Sequence, residues 1–91
     1  MTEHPYQKLT VYSSTWCPDC RQAKRFLDDH GIEYELIEID QDEAAAVRLE
    51  QQTGKRGIPY FVLDDTEWVR AYIPKQGFDR AGMTKLLGLA E

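Results

Sequence analysis

A chain of 91 residues has room for one domain and none for a second. With 42% hydrophobic and 30% charged residues it has an ordinary globular balance, which excludes a disordered, collagen-like or repetitive chain. The 11 Lys and Arg against 16 Asp and Glu give a net charge of −5, so the basic footprint of a nucleic-acid binder is missing. No apolar run approaches the roughly 20 residues that span a bilayer. The start, Met1-Thr2-Glu3-His4-Pro5, is neither basic nor apolar, so no secretory signal is read and a cytoplasmic protein is expected.

After a lead-in from Glu3 to Gln7, Leu9 to Tyr12 is β-branched and aromatic and is predicted as a strand ending at Ser13-Ser14. Pro18 suits a first helical position. Ala23, Phe26 and Leu27 follow at helical spacing, which predicts an amphipathic helix capped by Cys17 and ended by Gly31. Ile32, Tyr34 and Leu36 alternate with glutamates before Ile37 and Ile39 shift the phase, the pattern of a second strand buried partly on both faces. Asp40 and Glu43 have capping-box spacing before a helix through Ala44 to Leu49, which stops near Thr53-Gly54. Ile58 to Leu63 is a strand opened by Pro59. Asp64-Asp65-Thr66 is a turn, and Trp68 to Ile73 returns as the other arm of a hairpin. Phe78 and Met83 flank Asp79 as a hydrophobic staple around a helix cap, with Leu86 and Leu87 completing the apolar face.

The two cysteines form a single unit, Cys17-Pro18-Asp19-Cys20. A bridge between them closes almost no loop and adds little stability, so the pair is not a structural staple. Structural zinc needs four ligands, and the only other soft donors are His4 and His30. Thirteen helical residues at about 1.5 Å rise hold His30 roughly 20 Å from Cys17, too far for a shared metal or a Cys-His catalytic pair. Redox chemistry is the reading that remains. At a helix N-terminus Cys17 faces unpaired N–H groups and the positive dipole end, which favour its thiolate; Arg21 and Lys24 add to that potential and Asp19 opposes it. Cys20, on the face of Ala23 and Leu27, is more buried and better placed to resolve a mixed disulfide than to attack first.

A β-α-β-α-β-β-α order with Val11 to Cys20, Thr53 to Pro59 and Gly77-Phe78-Asp79 in sequence resembles the glutaredoxin branch of the thioredoxin fold over Leu9 to Leu87. The resemblance implies an α/β domain occupying residues 1–91, with a core at 9–87, a four-stranded mixed sheet and helices on both faces. It also implies a cis peptide before Pro59 facing the cysteines, and a dithiol–disulfide oxidoreductase in which Cys17 attacks and Cys20 resolves. On the same resemblance Ile58 offers backbone groups to a substrate strand, and the candidate binding set is Trp16, Pro18, Arg21, Lys55, Ile58, Pro59, Gly77, Phe78 and Asp79. Trp16 is read as a docking ring, and Lys55 and Arg56 as candidate partners for a carboxylate.

Many glutathione-using relatives carry Lys where this chain has Ser14, and Gly-Gly-x-Asp where it has Gly77-Phe78-Asp79. The Gly-Phe start is more similar to the glutaredoxin-like electron donors of ribonucleotide reductase, and the Trp16-Cys17 start of the motif and Ala44 to Val47 to mycoredoxins. Expected partners are therefore protein disulfides such as that of ribonucleotide reductase, and a reductase. The electron source is expected to be thioredoxin reductase with NADPH, or a small thiol such as glutathione or mycothiol. No tightly bound cofactor, metal, nucleic acid or membrane is expected, and the chain is expected to be a monomer. The alternative is an iron–sulfur module, with a cluster bridging a dimer through Cys17 and a small thiol; Pro18 argues against it by stiffening the turn.

Overall fold

The computed structural model describes residues 6–89, so the lead-in from Glu3 and the candidate donor His4 lie outside it. Strand β1 (Leu9–Ser13) is the centre of the molecule. It pairs in parallel with β2 (Glu35–Glu38), with Ser13 opposite Glu38, and antiparallel with β3 (Tyr60–Leu63), with Tyr12 opposite Tyr60. Strand β4 (Glu67–Arg70) completes a mixed sheet of order β2-β1-β3-β4. The parallel β1–β2 pair requires a crossover, which helix α1 (Pro18–Asp29) supplies.

Alternation along the strands divides the core into two layers. Leu9, Val11, Phe61 and Leu63 pack with Ala23, Phe26 and Leu27 of α1 and with Met83 of helix α3 (Arg80–Leu86). Tyr12 and Val62 face the other way, onto Ala45 and Leu49 of helix α2 (Glu43–Thr53). Thioredoxin-like architecture, with a four-stranded mixed sheet between helices, is therefore observed as expected.

The helix boundaries follow local chemistry. Cys17 is extended and caps α1, and Pro18 occupies its first turn. After His30 the chain turns through Gly31 at φ 65°, and the Ile32 amide donates to Leu27 O at 3.0 Å. Asp79 caps α3 by accepting from the Gly82 amide at 3.0 Å, with Phe78 and Met83 in one core cluster on either side.

Three expectations are corrected. The cap of α2 is Asp42, which accepts from Ala45 N at 3.1 Å, rather than Asp40. Asp40 is diverted to Thr15, accepting from both its amide and its hydroxyl, and the Glu43 carboxylate goes to Arg56 at 3.0 Å. Strand β2 is shorter than the apolar pattern suggested: it is the edge of the sheet, omits Ile32, Tyr34 and Ile39 and leaves Leu36 exposed, although Tyr34 and Ile37 still pack on opposite core layers. The predicted strand from Trp68 to Ile73 breaks at Ala71. There the amide donates to Pro59 O at 3.1 Å and the carbonyl accepts from Asp79 N at 2.9 Å, which takes the chain off the main sheet. The residues beyond form β5 (Tyr72–Ile73), paired with β6 (Gly77–Phe78) in a separate two-stranded ladder.

Candidate functional site

The chain leaves β1 at Ser13, passes Ser14, Thr15 and Trp16, and enters α1 through Cys17. Cys17 Sγ accepts from the Cys20 amide at 3.2 Å, so the sulfur occupies the capping position that a serine or aspartate oxygen fills in other helices. Both cysteines are buried, Cys17 at 5% exposure and Cys20 at 0%, so the Cys17 sulfur is less open than the attacking role expected of it suggested. Beside it Trp16 is 67% exposed, as its docking assignment anticipated.

Burial pushes the Cys20 thiol from 9.0 up to about 12, with the hydrogen bond to Cys17 adding to the rise. The Ser14 backbone and the Ser13 hydroxyl, both at 0% exposure, pull the other way by hydrogen-bonding the sulfur. Cys20 therefore stays protonated at neutral pH. A thiol raised in the folded state holds its proton after the unfolded chain has released it, so this stabilising contribution is complete below about 9 and is lost as pH rises toward about 12. Urea midpoints from pH 8 to 11 are expected to fall with pH in the wild-type chain and to fall less in Cys20→Ala.

The other site residues gather at the same end of the sheet. Because Tyr60 pairs with Tyr12, the residues before β3 lie beside the chain leaving β1, and Ile58–Pro59 is there, with a cis peptide bond as expected. Pro59 is buried and Ile58 half-buried. The Pro59–Ala71–Asp79 backbone bonds tie this segment to the cap of α3. Gly77, at φ 98°, lies against the start of α1, where an added Cβ would stand 3.2 Å from Asp19 Oδ1. Phe78 packs on Phe26 with ring centroids 5.3 Å apart. Pro18, Arg21, Gln22 and Arg25 line an open hollow of about 330 Å³ on α1, and neither arginine is ion-paired among the described residues. Lys55 is exposed after α2, whereas Arg56 is held by Glu43 at 3.0 Å and Glu50 at 3.1 Å. Among the described residues no three His, Cys, Asp or Glu side chains gather as a metal site.

Sequence reasoning missed Glu38. The acidic series Glu33, Glu35, Glu38, Asp40 and Asp42 has, in sequence, the look of a solvated face, yet Glu38 is half-buried and accepts from the Ser13 hydroxyl at 2.6 Å. Lys24 lies 3.8 Å from the same carboxylate. Its place comes from the parallel register that sets Glu38 opposite Ser13, for which the acidic series itself carries no local signal.

A four-stranded sheet of this order, a Cys-Pro-Asp-Cys helix start and a cis proline at the same sheet end define a thioredoxin-fold thiol redox protein. The glutaredoxin family profile matches residues 9–68, and the chain belongs to the glutaredoxin family. The glutaredoxin-like protein NrdH of Escherichia coli is 31% identical over 61 residues, covering 67% of this chain and 74% of that protein. Mycoredoxin 1 of Corynebacterium glutamicum is 51% identical over a shorter span of 37 residues, 41% of this chain and 44% of that protein. Among solved structures, the glutaredoxin-like NrdH-redoxin of Escherichia coli, which has a thioredoxin-like activity profile, superposes with a TM-score of 0.69 at 28% identity, over 88% of this chain and 95% of that one. The chain is thus a glutaredoxin-like redox protein. No helix among the described residues is long and apolar enough to cross a membrane.

Proposed function

We propose that the chain is a cytoplasmic dithiol–disulfide oxidoreductase that reduces protein disulfides in two exchanges. The Cys17 thiolate attacks one sulfur of the target, forming a mixed disulfide and releasing the other target sulfur as a thiol. Cys20 then attacks the Cys17 sulfur, releasing the second target thiol and leaving a Cys17–Cys20 disulfide. Two electrons pass to the target, and an external reductant restores the dithiol. The observation that carries this reading is the asymmetry of the pair: Cys17 caps the helix, while Cys20 lies fully buried behind it with its thiol pushed up to about 12.

On this reading Trp16, Ile58 and the Gly77-Phe78-Asp79 turn hold the target, Pro18 fixes the helix start, and Pro59 shapes the surface facing the thiols. Arg21 and Lys55 attract acidic groups. Ser14 is buried and offers no cation for a glutathione carboxylate, which favours thioredoxin reductase with NADPH over glutathione or mycothiol as the electron source. The NrdH likeness supports the same choice and a target of the ribonucleotide reductase type. Steady-state oxidation of NADPH with a small disulfide tests it: rapid turnover with thioredoxin reductase is expected, and efficient turnover with glutathione and its reductase alone would refute the preference.

Exposed Trp16 gives a second prediction. Trp16→Ala is expected to leave stability within about 0.5 kcal/mol, as for other exposed positions, while turnover of a small disulfide is retained. KM for a protein disulfide should rise about tenfold or more, the effect of losing an aromatic hot spot.

A further inference from the structure

We propose that Asp40 is a positioning residue for target recognition: it clasps Thr15 and so holds the turn that presents Trp16 to a protein disulfide. This rests on the reading of Trp16 as the docking ring. Trp16 is the third residue of the turn Ser14-Thr15-Trp16-Cys17, which the Cys17 amide closes onto Ser14 O at 3.5 Å. A bond of that length is weak, and it leaves the turn in need of a second restraint. With 67% of its surface exposed, the ring has little packing to orient it, so its direction follows the backbone of the turn. Asp40 supplies the restraint. The Thr15 amide donates to Asp40 Oδ1 at 3.2 Å, and the Thr15 hydroxyl donates to Asp40 Oδ2. One carboxylate thus takes both donors of the residue just before Trp16, fixing its backbone and side chain together. The Thr15 hydroxyl, with the amide behind it, holds the Asp40 carboxyl below the ordinary carboxylate range, so both bonds go to a charged acceptor.

The clasp stands on a rigid support. Just before Asp40, the Ile39 amide donates to Ser13 O at 2.8 Å and the Ile39 side chain packs against the layer of Tyr12 and Leu49. Just after it, the Gln41 amide donates to Glu38 O at 3.0 Å, and Asp42 caps α2. Asp40 is therefore held from both sides before it meets Thr15. Cys17 is held separately, because its sulfur caps α1 through the Cys20 amide at 3.2 Å. Loss of the clasp should disturb Trp16 and spare Cys17, which places the effect on recognition rather than on the exchange itself. A ring freed in this way must be ordered again when the target binds, and that entropy weakens the complex. Asp40 touches neither the target nor the reacting sulfurs; it acts through Thr15.

Single-turnover oxidation of the reduced chain by increasing concentrations of insulin, a protein disulfide that needs no assumption about the reductant, separates binding from exchange. The wild-type chain, Asp40→Ala, Asp40→Asn, Trp16→Ala and the Asp40→Ala, Trp16→Ala double variant are compared. Asp40→Ala should raise the half-saturating insulin concentration about threefold to tenfold, the cost of ordering one large side chain, and hold the limiting rate within about twofold. Asp40→Asn, which keeps one acceptor oxygen, should fall between it and the wild type. The double variant should bind no worse than Trp16→Ala, a non-additivity that a merely structural role would not produce. In a Trp68→Phe background Trp16 is the sole tryptophan, and its fluorescence anisotropy should fall in Asp40→Ala. Wild-type half-saturation or unchanged anisotropy in Asp40→Ala overturns the inference. So does a double variant weaker than Trp16→Ala by the full Asp40→Ala factor, or a loss confined to the limiting rate. Trp16→Ala separates the two levels: unchanged half-saturation in that variant overturns the docking role of Trp16 and the inference with it, whereas an effect there and none in Asp40→Ala overturns the inference alone.

Discussion

Cys17→Ser is expected to reduce protein disulfides no faster than uncatalysed exchange, while Cys20→Ser retains a single fast exchange and then stalls. The difference follows from position. Cys17 is the sulfur at the helix N-terminus with Trp16 exposed beside it, and no other described side chain can replace its nucleophile. Cys20 lies at 0% exposure behind it, so loss of Cys20 leaves the first exchange intact and removes the second. Single-turnover quench with a protein disulfide, followed by alkylation of free thiols, separates these outcomes. Equal loss of the first exchange in both variants would show that the cysteines act without division of labour.

Phe26→Ala is the substitution with the largest expected effect on stability. Phe26 is fully buried at the junction of α1 with the β5–β6 ladder. Its ring stands 5.3 Å from Phe78 and 4.6 Å from His30, with the Arg80 guanidinium 5.1 Å above its centroid. Truncating a buried phenylalanine costs about 3–5 kcal/mol through lost burial and the cavity left behind. Against a total of about 5–15 kcal/mol this is a large fraction of the fold's stability. The urea midpoint should fall accordingly with little change in slope. The same loss loosens Phe78, and with it the turn that sets Gly77 against Asp19, so Phe26→Leu should preserve turnover better than Phe26→Ala.

The parts legible in the sequence are those decided by neighbours in the chain. Pro18 behind a capping Cys17, and Ala23, Phe26 and Leu27 at helical spacing, predicted α1 and the placement of both cysteines on it. Phe78, Asp79 and Met83 likewise predicted the start of α3. What was missed depends on partners far along the chain. Asp40 and Asp42 are comparable caps by local chemistry, and Thr15, 25 residues before Asp40, decides between them by taking Asp40. The break at Ala71 comes from hydrogen bonds to Pro59 and Asp79, which no propensity in Trp68 to Ile73 encodes. Glu38 matched an exposed acidic series until parallel pairing of β1 with β2 set it opposite Ser13. Pro59 is intermediate: its residue type marked the opening of a strand, the family resemblance implied its cis bond, and its place beside the thiol loop follows from the Tyr12–Tyr60 register.

The division of roles between the cysteines is tested most directly by locating the trapped intermediate. Cys17→Ser and Cys20→Ser are each incubated with an oxidised protein target, quenched with acid and mapped by mass spectrometry without reductant. Cys20→Ser should carry the target on Cys17 as a persistent mixed disulfide, and Cys17→Ser should carry none, because Cys20 is buried and protonated at neutral pH. A stable adduct on Cys20 in Cys17→Ser, with none on Cys17 in Cys20→Ser, would reverse the assignment of attacking and resolving thiols.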